Sequence, residues 1–317
     1  MSIGGRDWKA MWLGLLEASL LVTALFSFAT SFDEWHRLLE LFSHFRLQYL
    51  VIAAVLTCAF LFLRWPGYIL LGLATIAVNA WHVVPWYLPV EHSPVADSDI
   101  RILHANILVS NDSSDRFFMA VTKADPDIVV MQEATPEWMS SLGSLDTIYP
   151  YKLVESRNDP FGIALYSKYP LESSVVNAAE PFGFPQIIAT AAIGDKRLHI
   201  LSAHPANPVG ASNANGRNLQ LDGLAELAAR TPAPLVVIGD LNITMWAHHY
   251  RLFEEKSRLK NARLGFGIKP TWPLFMPFAM IPIDQCLVSD DIEVTDFTTG
   301  PNIGSDHLPI VVTLRLH

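Results

Sequence analysis

The sequence predicts an α+β protein in which a domain of layered β-sheets flanked by helices follows an N-terminal transmembrane helical segment. Apolar residues make up 51% of the 317 residues, and they are concentrated before residue 90, where charged residues are rare. From Asp97 onward, short apolar runs alternate with Gly, Pro, Asn and Asp, as they do in soluble domains. Only a few helical patterns separate these runs, which favours layered sheets over a regular alternation of strand and helix.

The N-terminal part contains three apolar stretches, each close to the roughly 20 residues that an α-helix needs to cross the hydrocarbon core of a bilayer. They are residues 11–32, 45–63 and 68–88. A cleaved signal peptide is an alternative for the first stretch, but two further apolar stretches follow it. A buried helical bundle is another, but it would leave these helices without a water-facing side. We therefore expect three membrane spans within residues 1–90, a linker over 91–99 and a second domain over 100–317.

Positively charged residues next to the spans indicate the orientation of the chain in the membrane. Arg6 and Lys9 precede the first span and Arg64 separates the second from the third, whereas Arg37 and Arg46 lie between the first two. The bias is slight and favours a cytoplasmic N-terminus. With three crossings, we expect a multi-pass protein of the inner membrane whose second domain is periplasmic or extracellular.

The second domain contains a series of apolar runs that are typical of buried strands. These runs are residues 100–108, 126–134, 161–171, 197–206, 233–242, 281–289 and 307–316. Helical patterns cover residues 117–124 and 218–229. The two cysteines, Cys58 in a predicted span and Cys286 in a predicted strand, are badly placed to pair.

Polar side chains lie at the ends of these predicted strands, where they can meet at one edge of a sheet. They are Asn106, Glu133, His204, Asp240, Asn242, Asp284, Asp306 and His307. Any one of them is explained equally well as a turn former or a capping group. Taken together, and because none of them is Lys or Arg, these residues are typical of the ligands of a hard cation such as Mg²⁺ or Mn²⁺. Zinc is less favoured, because neither HExxH nor CxxC occurs.

The order of the motifs along the chain also resembles that of a known protein family, which supports this interpretation. The chain shows "HANIL", "DIVVMQEA", "GIALYSKYPL", "SAHPA", "GRNLQ", "VVIGDLN", "IDQCLVS" and "GSDHLPIVV" in succession. From about residue 100 onward this series resembles the endonuclease/exonuclease/phosphatase superfamily, and the apolar prefix is similar to that of membrane-anchored bacterial members. The resemblance implies two packed mixed β-sheets flanked by helices, which form a four-layer α/β sandwich. It also implies a metal-dependent phosphoric ester hydrolase.

The resemblance implies a role for each matched position. Glu133, Asn106 and Asp306 are expected to lie at the Mg²⁺ or Mn²⁺ ion. His307 is the expected general base and Asp284 the carboxylate that orients it, which suits an imidazole whose ordinary pKa is near neutrality. Asp240, Asn242 and His204 are expected to orient the attacking water and contact the phosphate. Arg217 and Trp272 are expected to bind substrate. Leu241 replaces the usual aromatic of the Gly-Asp-Phe-Asn motif, which affects packing rather than ligation.

The sequence leaves the substrate open between nucleic acid and a lipid headgroup. A basic run after "GDLN" favours a nuclease if it lines the cleft, although a solvated helix face is its more ordinary explanation. This run consists of Arg251, Lys256, Arg258, Lys260 and Arg263. The net charge of −9 argues against a broad electrostatic grip on long nucleic acid.

An apolar segment over residues 269–282 and the membrane anchor favour a phospholipid or headgroup phosphodiesterase or phosphatase. We expect the large apolar side chains of this segment to be core beneath a loop; they are Leu274, Phe275, Met276, Phe278 and Met280. The family precedent puts a membrane-anchored nuclease first and the lipid enzyme second. A catalytically idle binding module is disfavoured, because every motif position is filled. The bilayer and a phosphoester substrate are the expected partners, and no protein partner is predicted.

Overall fold

The computed structural model describes residues 8–317, and the side chains over that range except those of residues 173–177. Arg6, which contributed to the predicted orientation, lies outside the described residues. The chain divides into two compact units, with the boundary between Pro85 and Trp86. The predicted domain boundaries at residues 90 and 99 stay predictions.

The described residues of the first unit are mainly helical, and three long helices cover the three predicted apolar stretches. The helices are α1 (Trp8–Ala29), α2 (Arg37–Ser43), α3 (Arg46–Leu63) and α4 (Pro66–Val83). Within residues 8–317, three helical segments are long and apolar enough to cross a membrane, namely Trp8–Phe32, Arg46–Leu63 and Pro66–Tyr87. Large apolar side chains such as Leu25, Phe62 and Trp81 are exposed on these helices.

Small and polar residues lie inside the first unit. A Cβ atom added to Gly72 of α4 would lie 2.0 Å from Thr57 Oγ1 of α3, so glycine allows the two helices to approach this closely. Asn79 Nδ2 donates to Ser27 Oγ at 2.8 Å and joins α4 to α1. Small residues and interhelical hydrogen bonds inside, with apolar side chains outside, are typical of helices that pack within a bilayer.

The second unit contains twelve strands and four helices within the described residues. The strands are β1 (Ile100–Asn106), β2 (Ile128–Gln132), β3 (Tyr151–Glu155), β4 (Ile163–Ser167), β5 (Leu171–Ala179), β6 (Phe184–Ile193), β7 (Lys196–Ala203), β8 (Leu235–Asp240), β9 (Lys260–Asn261), β10 (Asp284–Val288), β11 (Ile292–Thr299) and β12 (Ile310–Leu316). The helices are α5 (Ser114–Ala124), α6 (Pro136–Ser141), α7 (Ala211–Arg230) and α8 (His248–Ser257). All seven predicted strands and both predicted helices are present, with shifted ends.

The strands form two six-stranded mixed sheets, as predicted. The order in the first sheet is β11-β12-β1-β2-β4-β3, and in the second it is β5-β6-β7-β8-β10-β9. Each sheet has a parallel pair at its centre, β1 with β2 and β7 with β8, among antiparallel neighbours. These parallel pairs bring the carboxyl ends of four central strands to one edge of the sandwich.

The main core lies between the two sheets. Ile102 and Val312 of the first sheet share one apolar cluster with Ile200 and Ile238 of the second. On the other face of the first sheet, Phe117 of α5 and Trp138 of α6 pack in a second cluster with alternate strand residues. Because side chains alternate between the two faces of a strand, central strands covered on both faces are apolar throughout.

Candidate active site

The strand register places the predicted site residues at one edge of the sandwich. Asn106 of β1 pairs with Gln132 of β2, so Glu133 follows at the same end. In the second sheet, Asp240 of β8 lies directly opposite Asp284 of β10. His204 follows β7, which runs parallel to β8, and His307 precedes β12, which runs antiparallel to β1. The six strand ends that carry the predicted residues therefore converge.

The buried pair of Asp284 and His307 joins the two sheets. His307 Nδ1 donates to Asp284 Oδ2 at 2.9 Å. Burial favours the neutral acid, but the charge of His307 and the hydrogen bonds from His307 and His104 outweigh it and hold the pKa of Asp284 well below its usual range. Burial likewise disfavours the imidazolium, but the charges of Asp284 and Asp240 outweigh it and raise the pKa of His307 to about 9. The carboxylate thus stabilises the protonated form that a general base acquires when it takes a proton.

The predicted cation ligands Glu133 and Asn106 are held together by their own hydrogen bonds. Asn106 Nδ2 donates to Glu133 Oε1 at 3.0 Å and to Asp240 Oδ2 at 3.2 Å. The backbone N–H of Val109 donates to Glu133 Oε2 at 2.7 Å. Glu133 has a φ of 63°, a left-handed conformation that is costly for a residue with a Cβ and that occurs often at functional sites. These contacts aim the Glu133 carboxylate into the cleft.

Asp306 lies in the turn before β12, and this turn is tied to β1. Trp272 Nε1 donates to Asp306 Oδ2 at 2.9 Å. Ser305 Oγ donates to Asn106 O at 2.8 Å and accepts from the N–H of His307 at 3.0 Å. This turn therefore places Asp306 and His307 beside Asn106.

The fourth predicted carboxylate, Asp240, lies close to both His204 and His307. Its Oδ2 atom is 3.4 Å from His204 Nε2 and 3.7 Å from His307 Nε2. Burial disfavours the charged form of His204, but Asp240 and Glu133 outweigh it and raise its pKa. Asp240 Oδ1 accepts from the N–H of Asn242 at 2.9 Å, and Asn242 Nδ2 donates to Pro205 O at 3.0 Å.

The donor set fits a hard divalent cation. Within residues 8–317, no three His, Cys, Asp or Glu side chains form a ready-made metal cage. Mg²⁺ does not need one, because it is usually held by one or two carboxylates together with waters and substrate phosphate. Glu133, Asp306 and the amide oxygen of Asn106 supply oxygen ligands of the required kind in the same cleft.

These residues line a cleft of about 160 Å³. Its wall includes Asn106, Glu133, Phe161, His204, Asp240, Asn242, Trp272, Asp306 and His307. Residues 103–307 match the model of the Endonuclease/Exonuclease/phosphatase family. The chain belongs to this family. It is accordingly a phosphoric ester hydrolase by class.

Solved structures share the fold of this Endonuclease/Exonuclease/phosphatase domain at low sequence identity. D. rerio TDP2 complexed with single strand DNA product is 17% identical, with a TM-score of 0.59, and the match covers 69% of this chain and 100% of that chain. The human Nocturnin catalytic domain with bound sulfate anion is 18% identical, with a TM-score of 0.56, over 74% of this chain and 99% of that chain. An endonuclease/exonuclease/phosphatase from Beutenbergia cavernae is 18% identical, with a TM-score of 0.55, over 69% and 72%. Comparison with curated protein sequences found no matching relative.

Of the two predicted substrate contacts, Trp272 lies in the cleft and Arg217 does not. Trp272 lines the cleft wall and its ring centroid is 6.2 Å from that of His307. Arg217 is only 1% exposed, and its Nη1 donates to Asn242 O at 2.9 Å. Its guanidinium supports the Asn242 backbone, and the expected contact of Arg217 with substrate stays a prediction.

Two further residues of this Endonuclease/Exonuclease/phosphatase site were not identified from the sequence. His104 Nε2 donates to Asp284 Oδ1 at 3.0 Å, so Asp284 is held between two histidines. Gln132 Nε2 donates to Ala203 O at 2.7 Å, and Gln132 Oε1 accepts from the N–H of Asp240 at 2.8 Å. In the sequence, each of them is noticeable only as a polar residue within an otherwise apolar strand. That pattern does not identify the hydrogen-bond partner.

The basic run is not a solvated helix face throughout. Only Arg251 and Lys256 belong to α8, and Lys256 pairs with Asp222 at 2.5 Å and Glu226 at 2.9 Å. Arg263 is fully buried, where it donates to the backbone oxygen of Asp284 at 2.7 Å. Burial lowers the pKa of Arg263 to about 10. The run therefore does not present five free cations to a substrate.

The expectation that residues 274–280 are core beneath a loop is wrong for three of the five named side chains. Phe275 and Phe278 are 72% and 80% exposed, and Met276 is also exposed. Leu274 and Met280 are half-buried. The alternation of Pro with apolar residues resembles a buried segment in sequence, but Pro277 begins a short 3₁₀ turn that directs these side chains outward.

Proposed function

We propose that this chain is a divalent-metal-dependent phosphodiesterase that uses His307 as its general base. The observation that carries the proposal is the buried Asp284–His307 pair, 2.9 Å apart, whose histidine lines the same cleft as Glu133 and Asp240. Hydrolysis of a phosphodiester requires a deprotonated water and neutralisation of charge on the phosphoryl oxygens. The cleft offers groups for both.

The geometry supports one atom of His307, Nε2, as the one that takes up the proton. Nδ1 is engaged with Asp284, which leaves Nε2 as the atom that faces Asp240 and the cleft. A water in the cleft within hydrogen-bond distance of Nε2 would give its proton to that atom, with Asp240 close by. Asp284 then stabilises the imidazolium, as the carboxylate does in other base–carboxylate pairs.

Glu133, Asn106 and Asp306 are the residues that would hold Mg²⁺ or Mn²⁺. When bound, the cation withdraws charge from a phosphoryl oxygen and from the leaving alkoxide. Asn242 and His204 are positioned to contact the remaining phosphate oxygens from the second sheet, and Trp272 closes one wall of the cleft.

We further propose that the three apolar helices anchor the enzyme in the inner membrane with the N-terminus in the cytoplasm. The support is their length and composition, together with the exposed apolar side chains on their outer faces. Three crossings would place the catalytic unit in the periplasm or outside the cell. Fusion of a periplasm-specific reporter after His317 tests this topology, and we expect that fusion to be active. Activity of a cytoplasm-specific reporter fused at the same position would contradict the topology.

Nucleic acid is one candidate substrate, and Trp272 is the observation that favours it. An aromatic ring beside the reacting phosphate is a platform on which a base can stack. The basic run gives this candidate less support than the sequence suggested, because Arg263 is buried and Lys256 is paired with acidic side chains.

The reaction class is tested with full-length protein in detergent and a soluble diester, bis(p-nitrophenyl) phosphate. We expect hydrolysis with Mg²⁺ or Mn²⁺, loss of it with EDTA, and a fall of at least about 10³-fold in Glu133→Gln and His307→Gln. His199→Gln is the matched control, because His199 bonds to Thr190 on a strand away from the cleft. Wild-type rates in either site variant, with the fold retained, would contradict the assignment.

A further inference from the structure

The loop formed by residues 274–280, here called the apolar loop, holds two aromatic rings in water. Phe275 and Phe278 are 72% and 80% exposed. Their exposure is fixed by the backbone: Trp272 N–H donates to Ile281 O at 3.1 Å at the base of the loop, and Ala279 N–H donates to Met276 O at 2.9 Å within it. Single exposed apolar residues are common, but here Phe275, Met276 and Phe278 are exposed within four residues of sequence, which favours an interaction surface.

The apolar loop is joined by backbone hydrogen bonds to the wall of the catalytic cleft. Leu274 N–H donates to the backbone oxygen of Asp306 at 2.9 Å, and Leu308 N–H donates to Thr271 O at 2.9 Å. Two residues before the loop, Trp272 donates its indole N–H to the Asp306 carboxylate. A surface that engages Phe275 and Phe278 therefore lies next to the position where the substrate phosphate would bind.

The chain itself indicates which surface this is. Tyr87 is the last residue of the third candidate membrane span. The last two residues of that span contact Gly267: Gly267 N–H donates to Trp86 O at 2.9 Å, and a Cβ at Gly267 would lie 2.8 Å from the Tyr87 ring. The His92 ring stacks on Phe266 with centroids 4.1 Å apart. The turn at residues 265–267 is thus held where the span ends.

Leu274 lies seven positions after Gly267, a path of at most roughly 25 Å when fully extended. Leu88 and Val90, which follow the span, are exposed as well. If the third span crosses the bilayer, chain connectivity keeps the apolar loop within reach of the bilayer interface. Aromatic rings are well suited to that interface.

We propose that the apolar loop inserts into the membrane interface and that the cleft hydrolyses phosphodiesters carried by lipids of the same membrane. This inference rests on the proposed phosphodiesterase function and names its substrate class. In the reaction, the water oxygen forms the new bond to phosphorus and its proton passes to His307. The bond from phosphorus to the departing alkoxide breaks, and that alkoxide takes up a proton.

Insertion is tested on the full chain in nanodiscs of phosphatidylcholine and phosphatidylglycerol. Phe278→Cys carries an NBD fluorophore in a Cys58→Ser background, since Cys58 is exposed and Cys286 is buried. Met119→Cys on α5 is the matched control, because Met119 is an exposed apolar residue of the same unit. We expect spin-labelled lipids to quench NBD at position 278 and to leave it bright at position 119. Equal quenching at the two positions would overturn insertion.

The substrate class is tested by comparing rates on three probes: phosphatidylglycerol in nanodiscs, bis(p-nitrophenyl) phosphate and a single-stranded DNA oligonucleotide. In a Phe275→Ser, Phe278→Ser double variant we expect the ratio of the lipid rate to the soluble-diester rate to fall by about tenfold or more, given the value of burying one aromatic side chain. Met119→Ser should leave that ratio unchanged.

The outcomes separate this inference from the function on which it rests. Wild-type hydrolysis of the oligonucleotide but not of phosphatidylglycerol would overturn the lipid assignment and favour the nuclease. An unchanged ratio in the double variant would overturn the role of the apolar loop while leaving the phosphodiesterase intact. Failure of the wild-type protein on all three probes would overturn the phosphodiesterase and the lipid assignment together, whereas the quenching result would still decide insertion.

Discussion

Removal of the His104 imidazole tests how the catalytic base is held. His104 Nε2 donates to Asp284 Oδ1 at 3.0 Å, and Asp284 Oδ2 accepts from His307 Nδ1 at 2.9 Å, with His104 and Asp284 fully buried. In His104→Ala, one oxygen of a buried carboxylate loses its donor. Hydrogen bonds to charged groups contribute about 1.5–3 kcal/mol, so we expect a loss of stability of that size.

The effect on catalysis follows from the same chain of contacts. Disabling the orienting aspartate of a Ser-His-Asp triad lowers kcat by about 10⁴-fold. His104 acts on His307 only through Asp284, so we expect a smaller fall, about 10- to 100-fold in kcat, with little change in KM. His104→Gln, whose amide can donate to the same carboxylate oxygen, should recover most of the rate.

The assay is steady-state hydrolysis of bis(p-nitrophenyl) phosphate, with thermal unfolding followed by intrinsic fluorescence. His199→Ala is the control for loss of an imidazole from a strand of the same unit. A His104→Ala protein with wild-type kcat and wild-type Tm would refute the reasoning, since it would show that Asp284 needs no second donor.

Three other outcomes follow from single contacts. Gly239→Ala should lower the free energy of unfolding by about 1–3 kcal/mol, as overpacking does. The added Cβ would lie 2.4 Å from Ala203 O and 2.5 Å from Gln132 Nε2. An unchanged midpoint of urea unfolding would contradict this. Burial raises the pKa of Glu254 to about 7, above its ordinary value. The protonated side chain therefore contributes stability that is fully present below the pKa of Glu254 in the unfolded chain and is lost as the pH rises through 7. Glu254→Gln should therefore stabilise the protein relative to wild type at pH 8 but not at pH 5, by about 1–2 kcal/mol, and equal shifts in Tm at both values would exclude that role. Arg217→Gln should lower kcat and Tm while KM for the soluble diester stays within about twofold, and a KM rise without loss of kcat would restore a substrate contact.

The sequence predicts the sandwich and the polar strand ends because both can be recognised from short stretches of sequence. Apolar runs such as residues 235–238 are buried on both faces and are recognisable without knowledge of their neighbours. The hairpin of β5 and β6 escapes prediction, because its first strand mixes Ser, Glu and Asn with apolar residues and lacks regular alternation. The edge strands β3 and β11 escape for a related reason, since their outer sides are partly solvated.

The site residues divide in the same way. Glu133, Asp240 and His307 belong to motifs whose order along the chain identifies them, whereas His104 and Gln132 act through partners on the other sheet. The apolar loop shows a further limit of pattern reading. Hydropathy indicates that Phe275 and Phe278 avoid water, but it does not say whether the protein interior or another phase shields them.

The catalytic cleft is itself a seam between the two sheets, and this links the chemistry to the packing of the core. Asn106 of the first sheet donates to Asp240 of the second, Gln132 of the first binds Ala203 and Asp240 of the second, and the base is tied to Asp284 across the same seam. Each of these contacts is shorter than 3.3 Å, so a small separation of the sheets would break several of them at once. The apolar cluster between the sheets therefore does more than stabilise the fold: it sets the distance at which the general base, its carboxylate and the cation ligands can act together.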